Sequence, residues 1–304
     1  MEKEYLYVIL AGILSGTIVF AGKIFSNLGL SLFEISTLPF ILVTLIMLPF
    51  MFFKKYRPNP KLIKIWLFYG LICALLVLSQ FAAVVLGVPV TLVVLLLYTQ
   101  PLWTFIFSKI FMKEKITKLH IFSGFLVIIG VVIMVNPFTI GEIHSWLGVI
   151  IALFGGIFLS GWIMIGSYAS KIKNHPIAIK FAETFFMLLF LALLYPLIRL
   201  ITTNPAIISF SFNWPMSTWF YLLLFAVFSQ IINHIFYFKG VRKVPTPDAG
   251  IILLLEPISA AILSSLFLKQ PITLSLVIGG CLILIANYLT ITKGKLLKSV
   301  LFFG

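Results

Sequence analysis

Residues 95–117 read LLLYTQPLWTFIFSKIFMKEKIT, and residues 250–273 read GIILLLEPISAAILSSLFLKQPIT. Shifted by 156 positions without a gap, residues 88–136 fall on residues 244–292. Shared leucines carry little information in so apolar a chain, but the rarer matches do. Pro89 falls on Pro245, Pro101 on Pro257 and Gly124 on Gly280. Lys113-Glu114-Lys115-Ile116-Thr117 falls on Lys269-Gln270-Pro271-Ile272-Thr273. Leu14-Ser15-Gly16 and Leu159-Ser160-Gly161 align the beginnings of the same two copies. The chain reads as an internal duplication, with one half at 1–140 and the other at 141–304.

Each copy is built from long apolar runs. A bilayer core about 30 Å thick is crossed by about 20 helical residues. Runs of that order occupy 5–24, 32–53, 65–87, 89–110, 118–135, 146–169, 177–199, 217–239, 246–268 and 272–292. None alternates with the period of two that a barrel strand requires, and in lipid a helix satisfies its own backbone. The sequence therefore predicts an all-α membrane protein of ten transmembrane helices. The first run is expected to stay in the membrane rather than be cleaved as a signal peptide, because it is long and nine more follow it.

Composition agrees. Apolar residues make up 62% of the 304 and charged residues 10%, with a net charge of +14. Such a balance excludes a water-soluble enzyme, a coiled coil and a disordered chain. The positive charge is a topology signal, not a nucleic-acid footprint, because Lys and Arg cluster between the apolar runs. With the N-terminus in the cytoplasm, only Lys23, Arg199 and Lys269 of the 22 basic residues fall outside; the other 19 fall inside. Both termini are then inside. Five spans per half is an odd number, so the second half threads the membrane upside down. Inverted repeats recur in secondary transporters, where two mirror-related halves offer one packing open to each side.

Two five-span halves, each holding a stretch like the pair quoted above, resemble the drug/metabolite transporter superfamily in its EamA-like branch. The resemblance covers nearly the whole chain. Its motif, a Glu or small polar residue before Pro and then an acidic residue before the next span, lies on Gln100-Pro101 with Glu114 and on Glu256-Pro257. The second half has Gln270 where the acidic residue is expected. The resemblance implies a ten-helix bundle with a cavity between the halves. It also implies a permease or exporter of small polar metabolites, amino acids among them, in the plasma (inner) membrane. Spans one, three, four, six, eight and nine would line the cavity, with five and ten peripheral.

Polar groups inside lipid are costly, about 2.5–3.5 kcal/mol for an ionised one at the bilayer centre, so they mark the interior. Glu256 lies about 15 Å into span nine at 1.5 Å per residue. It is a candidate for binding a substrate amine or a proton, against a structural hydrogen bond. Its matched residue is Gln100. Pro101 and Pro257 free the carbonyls of Leu97 and Leu253, so each marks a kink that either gates or only packs. Gln230, Asn233, His234 and Tyr237 fall at i, i+3, i+4 and i+7 in span eight. They line a cavity or bond to neighbouring helices. Gln80, Tyr98, Trp103 and Trp162 complete the cavity candidates, and Glu183 and His234 join Glu256 as proton-coupling candidates. Lys180 reads as a pair for Glu183 near the inner face, Glu114 as a solvated or salt-bridged surface group, and Lys23 as a partner for Glu34. Gly12 and Gly16 form a GxxxG packing motif.

No catalytic constellation, nucleotide-binding loop or metal-ligand spacing is present. His120, His144, His175 and His234 are scattered, and Cys73 and Cys281 lie in separate apolar runs. No cofactor and no nucleic acid are expected. The partners are a small-molecule substrate and the bilayer, with the chain acting as a monomer or homodimer. A channel and a membrane-embedded enzyme are the rival readings.

Overall fold

A computed structural model describes residues 3–86, 88, 90–135, 145–269 and 272–292. Pro89, His144, Gln270, Lys293, Lys295, Lys298 and the boundary between 140 and 141 lie outside the described residues. Ten stretches are long and apolar enough to cross a membrane. They are Lys3–Asn27, Leu32–Phe52, Lys54–Gln80, Leu92–Phe111, Lys118–Val135, Trp146–Lys171, Pro176–Ile201, Met216–Gly240, Thr246–Leu268 and Leu274–Ile291, called spans one to ten below. The described residues contain no strand.

Local chemistry starts several of these helices. Ser31 accepts the amide of Glu34 while the Glu34 carboxylate accepts the amide of Ser31, a capping box at span two. Ser145, His175 and Thr273 cap spans six, seven and ten.

The duplication is visible in the backbone itself. Among the described residues, four have positive φ, and they form two matched pairs: Lys113 (55°) with Lys269 (53°), and Gly29 (85°) with Lys173 (64°). Each follows the helical part of its span, where a left-handed residue turns the chain away. Packing repeats the same symmetry. Span one lies against nine and span six against four; span one lies against eight and span six against three; span seven lies against three and span two against eight; five and ten pair with each other. Exchanging the halves maps this list onto itself, as a two-fold axis relating the halves requires.

Small residues permit the closest of these approaches. A Cβ on Gly12 would stand 2.8 Å from the carbonyl oxygen of Ile252, and one on Gly16 would stand 2.5 Å from the amide of Ala260. The GxxxG motif of span one thus seats span nine. Gly156 seats span four in the same way: its Cβ would meet the carbonyl of Leu96 at 2.8 Å. Gly130 and Gly279 face each other between spans five and ten. The main buried core runs through spans one, two, three, six, seven, eight and nine. Ile121, Phe122, Phe125, Leu200 and Ile201 point outward, as a lipid-facing surface does.

The loops after spans two, four, six and eight, with the N-terminal end of span one, gather at one end of the bundle. Contacts between Tyr56 and His175, Lys171 and Glu114, and Lys243 and Glu4 place them together. This is called the basic end.

Candidate functional site

Spans four and nine are both broken where their prolines predict. Span four consists of helices Val90–Leu97 and Gln100–Phe111. Span nine consists of Thr246–Ile252, a 3₁₀ turn Leu253–Leu255 and a second helix Glu256–Leu268. Pro101 and Pro257 each sit in the first turn of the restarted helix, where a missing N–H costs nothing. Leu97 lies at the break of span four, and the Leu253 carbonyl, deprived of its i+4 donor by Pro257, accepts the Glu256 amide in the 3₁₀ turn instead.

The two breaks face each other across the halves, and their matched residues have opposite fates. Gln100 is sealed in the interior: its Nε2 donates to Thr104 Oγ1 at 2.6 Å, and Thr104 bonds Ser160 of span six at 3.0 Å. A Cβ on Gly250 of span nine would stand 2.9 Å from that Nε2. Glu256 is only half-buried, and the Tyr98 hydroxyl stands beside its carboxylate. Tyr98 itself is buried. A carboxylate at a broken helix between the halves, faced by one phenol, has spare acceptor capacity. Trp103 is half-buried with its indole N–H 3.3 Å from Thr99 Oγ1. Gln80 is half-buried on span three and makes no hydrogen bond to a described residue.

The polar stripe of span eight does not face a single space. A π-helical segment, Phe225–Ile232, interrupts the span, and Gln230 lies in it. Gln230 faces Lys180 of span seven at 3.3 Å. Asn233 donates to Ser15 of span one at 3.1 Å, and Tyr237 to the Ile163 carbonyl of span six at 2.7 Å. His234 Nδ1 donates to the Gln230 carbonyl, and its ring lies 5.0 Å from that of Trp162, which stacks on Tyr237 at 4.8 Å. All four stripe residues are buried. Trp162 also stands beside Glu183. Lys180, expected among the charges of the inner surface, is buried instead, with its Nζ 2.9 Å from Glu183 Oε1. The reason is that Glu183, Gln230 and the Phe40 ring (5.6 Å from Nζ) give the ammonium an interior site.

A third group gathers at the basic end, and of it the sequence singled out only Glu114, whose reading as a salt-bridged group agrees with its pairing to Lys171. Asp248 begins span nine. It receives the Tyr5 hydroxyl at 2.5 Å and meets His120 Nε2 at 2.7 Å. Glu114 pairs with Lys171 and accepts the amide and hydroxyl of Thr246 at 2.8 and 2.9 Å. Lys243 meets Glu4 at 2.6 Å. Every one of these links joins the first half to the second. A cleft of about 710 Å³ opens beside them, lined by Lys115, Lys118, Lys171 and Lys243 among others. The signal that could have found Asp248 was an acidic residue at a span start, one of just eight acids in the chain.

The opposite end is built differently. The repeat mates of Thr246, Asp248 and His120 are Val90, Leu92 and Leu276. Ala83, Val88, Val93, Leu97 and Ala152 form an apolar cluster there. Glu34 does not pair with Lys23. Its carboxylate is held by the amides of Ser31 and Ser211 and the indole of Trp214, at 2.8, 2.9 and 3.1 Å, because the connection after span seven folds over it.

Comparison with known proteins gives this architecture a place. The model of the EamA-like transporter family matches residues 2–136 and again residues 146–292. An uncharacterized transporter of Clostridium kluyveri is 26% identical over 97% of this chain and 95% of its own. The uncharacterized transporter YetK of Bacillus subtilis is 29% identical over 65% of this chain and 58% of its own. A crystal structure of a protein 16% identical superposes with a TM-score of 0.76, over 97% of this chain and 98% of that one, which shows a common fold. The duplicated five-span unit, the broken fourth span of each half and the family match in both halves lead to one conclusion: this multi-pass membrane chain belongs to the EamA-like transporter family.

Proposed function

We propose that the chain is a secondary transporter that moves a small polar metabolite bearing an amino group, of the amino-acid class, by alternating access across the plasma membrane. The observation that carries this reading is the meeting of the two broken helices, with half-buried Glu256 faced by Tyr98 at the point where the halves join. A substrate ammonium satisfies the carboxylate there, and half-buried Trp103 offers an aromatic wall. Gln80, Gln100, Trp162, Gln230, Asn233 and His234 support the pocket, Gln100 and the span-eight residues through the helix contacts that hold its walls. The prolines act as the bending points of spans four and nine.

Alternating access follows from the symmetry. Each half adopts in turn the packing of the other, and the pocket opens to one side at a time. The polar links at the basic end hold that mouth shut in one of the two states. The positive-inside rule puts the basic end in the cytoplasm. Homodimer formation is not needed, since both halves of the pathway are in one chain. A channel would require rings of carbonyls or charges, and a membrane enzyme would require a reactive pair.

Purified protein in liposomes should take up amino acids with saturable kinetics, and Glu256→Gln should abolish saturable uptake while leaving the protein folded. Flux that never saturates would establish a channel, and a chemically altered product would establish an enzyme. A thermal-shift screen of amino acids, nucleosides, sugars and amines identifies the substrate, because a ligand of the folded state raises Tm.

A further inference from the structure

Lys180 and Glu183 form a buried charge pair that the substrate pocket does not use. Both side chains are nearly or wholly excluded from the surface. A lysine near the end of a membrane helix ordinarily stretches along it to reach water. Lys180, in the second turn of span seven, turns inward instead. Its Nζ donates to Glu183 Oε1 at 2.9 Å and to Gln230 Oε1 at 3.3 Å and lies over the Phe40 ring. Span two, the repeat mate of span seven, carries no charge within its helix except capping Glu34, so the pair breaks the internal symmetry.

The pair is also incomplete. Among the described residues Glu183 Oε2 is buried without a well-formed hydrogen bond, although the Trp162 indole stands beside the carboxylate, and the Tyr69 hydroxyl of span three has no partner there either. An unpaired buried carboxylate oxygen is costly, and a proton on it would relieve that cost. The titratable groups facing the pair are Tyr69 and Cys73 of span three and His234 and Tyr237 of span eight. Span six presents Trp162 and span two presents Phe40.

We propose that Lys180 and Glu183 are the proton-binding site of the transporter, with Glu183 Oε2 as the atom that takes up the proton. This deepens the secondary-transport reading and rests on it. Uptake forms one O–H bond from a carboxylate lone pair, with the proton delivered by water. It changes the pair from zero net charge to +1, and release reverses the step. With Glu183 neutral, Lys180 loses its counter-charge and keeps the Gln230 oxygen and the Phe40 face. Gln230 lies in the π-helical segment of span eight, whose following turn bonds span one through Asn233 and Ser15. The protonation state therefore acts on a contact between the halves.

Infrared difference spectra of the purified full chain, recorded as pH is lowered, test this directly. The expected result is a protonated-carboxyl band that grows with acidity, is lost in Glu183→Gln and is kept in Glu256→Gln. Because Glu183→Gln leaves Lys180 unpaired, the double variant Lys180→Met with Glu183→Gln removes both charges. It should fold and should lack the band as well. An acid-induced carboxyl band that is the same in the wild type, in Glu183→Gln and in the double variant overturns the proposal. The readout is protonation and not flux, so a failure of the transport reading would show separately, as absent saturable uptake with the band intact.

Discussion

His120 Nε2 of span five lies 2.7 Å from Asp248 Oδ1 of span nine, and the other oxygen of the same carboxylate receives the Tyr5 hydroxyl of span one. One aspartate thus ties the first half to the second at the basic end, while its repeat mate at the other end is Leu92. The two ends of a symmetric fold are joined by different chemistry, one by charge and hydrogen bonds and the other by apolar packing.

Removing the Asp248 charge should favour opening at the basic end. Hydrogen bonds to a charged group contribute about 1.5–3 kcal/mol, and each 1.4 kcal/mol is tenfold in population. Asp248→Asn should therefore raise the maleimide labelling rate of a cysteine placed at Leu119, beside the cleft, by about tenfold, with Cys281 replaced beforehand. An unchanged rate would mean the contact is not a latch.

The bending points should matter for exchange. Pro257→Ala restores an N–H to the restarted helix of span nine and favours a continuous helix. The expected outcome is slower uptake and a changed pattern of cysteine accessibility from the two sides. Identical rates and patterns would reduce the break to static packing.

The seat of span nine on span one is a matter of space. Gly16→Val drives side-chain atoms into the backbone of Ala260, and overpacking of this kind costs about 1–3 kcal/mol. Thermal unfolding in detergent should show a Tm lower by several degrees. Gly280→Ala is the control, since its new Cβ would meet only Ile258 at 3.9 Å, an ordinary contact; its Tm should stay within a degree or so.

Breaking the buried pair on one side should cost more than removing it. Lys180→Met leaves Glu183 buried without its cation, a loss of about 3–5 kcal/mol. Adding Glu183→Gln should recover most of the loss, read as Tm in the single and double variants. Simple additivity of the two changes would count against direct coupling.

His175, between spans six and seven, gives a pH dependence. Its ring accepts the amide of Ile177 and packs edge-on against Tyr56. Burial, together with the charges of Lys55, Arg242 and Lys239, holds its pKa below the ordinary imidazole value. The folded state thus binds this proton less readily than the unfolded state. The stability contributed is complete above the free-imidazole pKa, about 6.5, and is lost as pH falls below it toward the folded value. Tm should drop over that window, and His175→Asn, which can still cap, should flatten the drop.

Much of the fold was legible because a bilayer leaves few options. Continuous apolar runs must be helices, and the spacing of Lys and Arg predicted which loops share an end; the contacts of Tyr56 with His175 and of Glu114 with Lys171 place those loops together. The breaks in spans four and nine were readable from Pro101 and Pro257, because a missing N–H acts on the local backbone whatever surrounds it. The surroundings of side chains were less accessible. The Lys180–Glu183 pair was legible from its i,i+3 spacing but its burial was not; Lys23 read as a partner of Glu34 and Asp248 drew no attention, since each of these depends on which helix lies opposite.

Sequence alone determined the number of helices, their duplication and the places where two of them break, all of which follow from hydrophobic length and local backbone chemistry. Tertiary structure decided which of two matched positions, Gln100 or Glu256, is sealed and which stays reachable. It also decided that the span-eight polar residues bond to three different helices, and that one end of the bundle is joined by Asp248 and Glu114. Those outcomes depend on contacts between residues fifty or more positions apart, and no local rule of periodicity or capping reaches that far.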